Sequence, residues 1–152
     1  WGRPDMALFK FTKAILNGEK IDLYNHGEMF RDFTYIDDLV NGVFLLINAV
    51  PTSSSKTDQN YQSNDNLSPV APFRVVNIGN SKSQKLTDFI DAIEKSLGIP
   101  AIKNLMPIQA GDVPATWADI SLLEDLTGYQ PKTNLEDGVQ SFVRWYRKFY
   151  QI

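Results

Sequence analysis

The sequence predicts an α/β fold, and three observations carry that prediction. Short stretches of strand-like alternation are followed repeatedly by stretches of helical periodicity. Capping and stop residues fall where the periodic stretches begin and end. The chain has 152 residues, 43% of them hydrophobic, which is enough to enclose one core.

Taken in order, "PDMALFKFTKAILNG" predicts a helix. Asp5 is placed to cap its start, Leu8, Phe11 and Ile15 form an apolar stripe, and Gly18 sits just past its end. "KIDLYN" alternates like a half-buried strand, with "NHGE" as the turn behind it. "FRDFTYI" is extended, and a helix follows from Asp37 or Asp38 to about Val50, where Pro51 stops it. The two aspartates read as a cap and a first-turn acid that complements the helix dipole. Residues 51–72, polar and bounded by prolines, are expected to form a flexible inserted loop. "FRVVNIG" reads as a buried strand and "LTDFIDAIEKSLG" as an amphipathic helix closed by Gly98. "AIKNLMPI" is a further strand, and "DISLLEDLTG" and "NLEDGVQSFVRWYRKFY" are two closing helices. The aromatic residues Phe142, Trp145, Tyr146 and Phe149 recur at helical spacing and are expected in the core.

Composition narrows the function. Fifteen basic and eighteen acidic residues leave a net charge of −3, with no basic tract to attract a nucleic acid. No apolar run approaches the roughly 18–20 residues that span a bilayer, so neither nucleic acid nor membrane is an expected partner. The absence of cysteine excludes disulfides, thiolate nucleophiles and zinc–sulfur sites and fits a cytoplasmic protein. The nine glycines never adopt dinucleotide-binding or P-loop spacing, and no tyrosine is followed by lysine four positions later. His26 is the sole histidine, so no metal site is expected. No catalytic constellation is complete within the chain.

Several motifs nevertheless occur together in order: "WGRPDMALFKFTKAI", "YNHGEMFRDFTYIDDLV", "VVNIGN", "LMPIQAGDVPATWAD" and "FVRWYRKFY". In these the chain resembles the carboxy-terminal portion of nucleotide-sugar epimerases of the extended short-chain dehydrogenase/reductase (Rossmann-type) family, nearest the UDP-glucuronate 4-epimerase branch. The resemblance implies that the glycine motif and the catalytic Tyr-x-x-x-Lys lie in a preceding half. Residues 1–152 would then be a UDP-sugar-binding portion, a piece of a longer protein, with Trp1 as its first residue. Its architecture would be a small mixed α/β substrate-binding lobe. One edge strand, "FRVVNIG", and the helix "DLVNGVFLLINAV" would belong with the dinucleotide-binding domain.

By the same resemblance the parent enzyme would use NAD to oxidise and re-reduce C4 of UDP-glucuronate or UDP-galacturonate, with no NAD expected on this chain alone. The parent is expected to be a homodimer, and this chain to self-associate through exposed apolar surface. Arg3 would grip the glucuronate carboxylate, although its position alone also fits a surface arginine beside a helix start. Arg31 would bind the diphosphate, the alternative being an ion pair with Asp32 or Asp38. Tyr24 would lie at the uracil. Asp112 would accept the ribose hydroxyls, with Gly111 permitting close backbone approach, or else it caps a turn. Gln109 stands where the galactose-type branch carries a second diphosphate-binding arginine. Thr116 would face the sugar or simply pack. A dehydratase or decarboxylase on the same scaffold, and a free-standing binding or oligomerisation module, are the competing expectations.

Overall fold

The computed structural model describes residues 3–51, 66–68 and 70–152. Most of the expected inserted loop, residues 52–65 and 69, and the opening Trp1 lie outside the described residues. The chain divides into two compact units, one comprising residues 1–33, 83–116 and 133–152, the other residues 34–82 and 117–132.

The first unit is α/β. Helix α1 (Ala7–Leu16) leads into strand β1 (Lys20–Leu23), a 3-10 turn (Tyr24–Gly27) and strand β2 (Phe30–Asp32). Strand β3 (Ser83–Lys85) runs straight into helix α3 (Leu86–Leu97), and strand β4 (Ile102–Leu105) follows. β1 pairs with β4 in parallel, Lys20 opposite Ile102 through Leu23 opposite Leu105. β2 pairs with β3 antiparallel, Phe30 opposite Lys85 and Arg31 opposite Gln84. The alternation in "KIDL" explains the core: Ile21 and Leu23 point inward while Lys20 and Asp22 are exposed. They meet Ile15 of α1, Phe89, Ile90, Ile93 and Leu97 of α3, and Val139 and Val143 of the last helix in one buried cluster. Gly98 closes α3 at φ +73°, a left-handed C-terminal residue as its sequence position suggests.

The second unit packs helix α2 (Ile36–Leu46) on helix α4 (Ser121–Thr127). Gly42 makes that unit close tightly, since a Cβ there would stand 3.2 Å from the Ile78 side chain. Asp38 ties the helix down. Its carboxylate accepts the Tyr129 hydroxyl at 2.9 Å and the Lys132 backbone N–H at 3.2 Å. Burial, followed by the Asp38 carboxylate, holds the Tyr129 phenol above its usual range. The closing helix α5 (Leu135–Tyr150) returns to the first unit.

Several local expectations are corrected. Met6, not Asp5, precedes α1, because Asp5 is drawn to Arg3 instead. Helix α2 starts at Ile36 behind Tyr35, so both aspartates lie inside its first turn and neither is the cap. It also ends at Leu46, short of Val50. Residues 73–79 form no strand with the described residues. A strand is defined by its ladder, and here the Val75 backbone is met by the Asn66 side chain, whose Nδ2 donates to the Val75 carbonyl at 2.6 Å. Phe73 and Val75 remain exposed rather than buried. The aromatic cluster is core only in part: Tyr146 is buried, but Trp145 and Phe149 stack at 5.2 Å on the exposed side of α5.

Candidate functional site

All six residues singled out from the sequence belong to the first unit. Five of them follow from one local arrangement. As β1 ends, the Met106 N–H donates to the Leu23 carbonyl and the His26 N–H to the Met106 carbonyl, both at 2.9 Å. The half-buried Tyr24 therefore opens its turn beside the start of the 106–116 segment. That turn is left-handed at three consecutive residues, Asn25, His26 and Gly27. The His26 side chain is exposed, in keeping with a turn residue.

The far end of the same segment is fastened to β2. The Phe30 N–H donates to the Pro114 carbonyl at 2.8 Å, and the Thr116 N–H donates to the Phe30 carbonyl at 3.1 Å. Phe30 and Ala115 form a parallel bridge. Between these attachments the chain turns back, with the Asp112 N–H donating to the Gln109 carbonyl at 3.1 Å. Gly111 sits in that turn at φ +88°, a conformation that explains glycine there independently of any ligand. Gln109, Asp112 and Thr116 are all exposed.

Arg31 is half-buried on β2. Its Nη1 donates to the Phe30 carbonyl at 2.8 Å and, more distantly, to the Pro114 carbonyl at 3.4 Å. Its described partners are thus carbonyl oxygens rather than the neighbouring carboxylates. Nε and Nη2 have no partner among the described residues. Arg3 stands apart from this group. It is highly exposed and holds Asp5 in a fork, Nη2 to Oδ2 at 2.7 Å and Nε to Oδ1 at 3.3 Å. The hydrogen bond from Arg3 is the main cause that keeps the Asp5 carboxyl below its usual range.

Sequence reading missed the acceptors of this arrangement, the carbonyls of Phe30 and Pro114. Carbonyls are carried by every residue and leave no compositional mark. The proline in "DVPATW" was the available signal, since it donates no N–H and favours an extended residue before it. The result is an exposed turn carrying Gln109, Asp112 and Thr116 beside the half-buried Arg31, with no convergent metal-ligand cluster among the described residues.

A model of the NAD dependent epimerase/dehydratase family matches residues 2–79. A probable UDP-glucuronate 4-epimerase of Rhizobium meliloti is 50% identical over 151 residues, covering 99% of this chain and 44% of that protein. UDP-glucuronate 4-epimerase 4 of Arabidopsis thaliana is 42% identical over 154 residues, covering 99% of this chain and 34% of that protein. The crystal structure of UDP-glucuronic acid 4-epimerase from Bacillus cereus, in complex with UDP-glucuronic acid and NAD, matches with a TM-score of 0.75 at 30% identity. That match covers 97% of this chain and 41% of the other. The chain therefore spans less than half the length of these relatives. With its α/β architecture and the family match over half its residues, the chain belongs to the NAD dependent epimerase/dehydratase family.

Proposed function

We propose that this chain is the UDP-sugar-holding portion of an NAD-dependent 4-epimerase that interconverts UDP-glucuronate and UDP-galacturonate, and that alone it turns over no substrate. The observation that carries the reading is Arg31, half-buried on β2 with two guanidinium nitrogens lacking a partner among the described residues, beside a segment that presents Asp112 and Thr116. The diphosphate would meet Arg31, the ribose hydroxyls Asp112, and the uracil the turn at Tyr24. Gln109 would donate hydrogen bonds without charge, and Thr116 would face the hexose. Arg3 would take the glucuronate carboxylate.

NAD supplies hydride chemistry in such an enzyme. This chain's residues do not fit it, because its glycines lack the spacing that cradles a pyrophosphate. The parent would hold NAD elsewhere, in the cytoplasm and as a homodimer. The residues present bind and orient the UDP-sugar; they do not abstract its protons.

Titration calorimetry with UDP on the 152-residue chain tests this. A charge-assisted contact to phosphate contributes about 1.5–3 kcal/mol, so Arg31→Ala is expected to weaken UDP binding by roughly 10- to 150-fold. Equal affinity in wild type and variant would remove the diphosphate role from Arg31.

A further inference from the structure

The hydrogen bonds around β2 do more than place an arginine near a ligand. The carbonyl of Phe30 accepts from both the Thr116 N–H and Arg31 Nη1, and the carbonyl of Pro114 accepts from both the Phe30 N–H and Arg31 Nη1. One guanidinium nitrogen thus straddles the two backbone attachments that hold residues 114–116 against β2. A planar guanidinium can do this and still direct its remaining N–H groups elsewhere, because its five donors are fixed in one plane. A lysine ammonium carries three donors on a flexible stem and offers no such division.

We infer that Arg31 is a staple as well as a ligand: through the Phe30 and Pro114 carbonyls it clamps the 106–116 segment onto β2, and so positions Asp112 for the nucleoside while its other nitrogens await the phosphates. The inference rests on the UDP-sugar reading for its ligand, but not for the clamp itself. Arg31 is then a positioning residue for the nucleoside half of the ligand, which it does not touch. Its loss weakens binding of a nucleoside that carries no phosphate at all. Had Arg31 only a phosphate contact, nucleoside binding would be indifferent to it.

Two measurements on the 152-residue chain separate the parts of this claim. The first is residue-resolved amide hydrogen exchange without ligand, for wild type, Arg31→Ala and Arg31→Lys, with the Ile93 amide of the buried α3 as internal reference. Both variants are expected to exchange the Phe30 and Thr116 amides about tenfold faster while Ile93 is unchanged. Unchanged Phe30 and Thr116 amides in Arg31→Lys overturn the staple, whatever the ligand does. If Arg31→Ala loses protection everywhere, including Ile93, the lysine variant decides.

The second measurement compares uridine and UDP by calorimetry. The staple predicts that Arg31→Lys, which keeps the charge, loses affinity for uridine severalfold as well as for UDP. Weakened UDP binding with uridine binding intact overturns the coupling to the nucleoside and leaves a phosphate contact alone. If wild type binds neither probe, the UDP-sugar reading fails, and the exchange experiment still decides the clamp.

Discussion

On the proposed reading, Arg3 would exchange one carboxylate for another. Its guanidinium already grips a carboxylate, that of Asp5, in a two-point fork. Both side chains are largely exposed, and exposed ion pairs contribute little to stability. A substrate carboxylate could therefore replace Asp5 at small cost. The chain is expected to bind UDP-glucuronate more tightly than UDP-glucose, and Arg3→Ala to abolish that preference while UDP affinity holds. A preference that survives Arg3→Ala, measured by calorimetry, would assign the carboxylate to another residue. Thr12 makes the opposite case, a residue whose polarity serves no visible purpose. It is fully buried in α1, and its hydroxyl has no hydrogen-bond partner among the described residues. A buried, unpaired hydroxyl costs about 1–3 kcal/mol. Valine keeps the branched shape, so Thr12→Val is expected to stabilise the protein by about 1 kcal/mol. The thermal midpoint should rise by roughly 2–4 °C. A lower midpoint would mean that the hydroxyl has a partner in solution.

At the scale of elements, local signals succeeded where the element is self-contained. α5 begins at Leu135 because the Asn134 side chain accepts the Asp137 N–H at 2.8 Å, and Glu136 and Asp137 complement its dipole. These cues are readable in "NLEDG". Asn134→Ala is expected to lower stability by about 1 kcal/mol and Asn134→Ser to restore most of it, as followed by urea unfolding. An unaffected midpoint in Asn134→Ala would show that α5 is held by packing alone. Gly98, left-handed at the end of α3, was equally legible. The failures were at elements that need a distant partner. Residues 73–79 have the composition of a strand but no ladder here. Asp38 has the chemistry of a cap but binds Tyr129 instead. Asp38 and Tyr129 are 91 positions apart, and no local pattern links them.

At the scale of the whole molecule, the exposed face of α2 carries the main consequence. Ile36 at 58% and Phe44 at 63% exposure are joined by Val40, Val43 and, just past the end of the helix, Ile47. An apolar stripe of this kind commonly marks an interface. The chain is expected to self-associate with rising concentration in sedimentation experiments, and Phe44→Glu to shift it toward monomer. Association unchanged by Phe44→Glu would locate the contact on another surface. By itself, the sequence determined the α/β class, the positions of the helices, the family motifs, and the exclusion of cysteine chemistry. Each of these depends on residues close together in the chain, or on composition. The tertiary structure alone decided that β2 receives residues 114–116, that Arg31 spans that junction, and that Asp38 meets Tyr129. Those outcomes are set by backbone carbonyls and by partners far apart in sequence, and neither leaves a periodicity or a residue type to read.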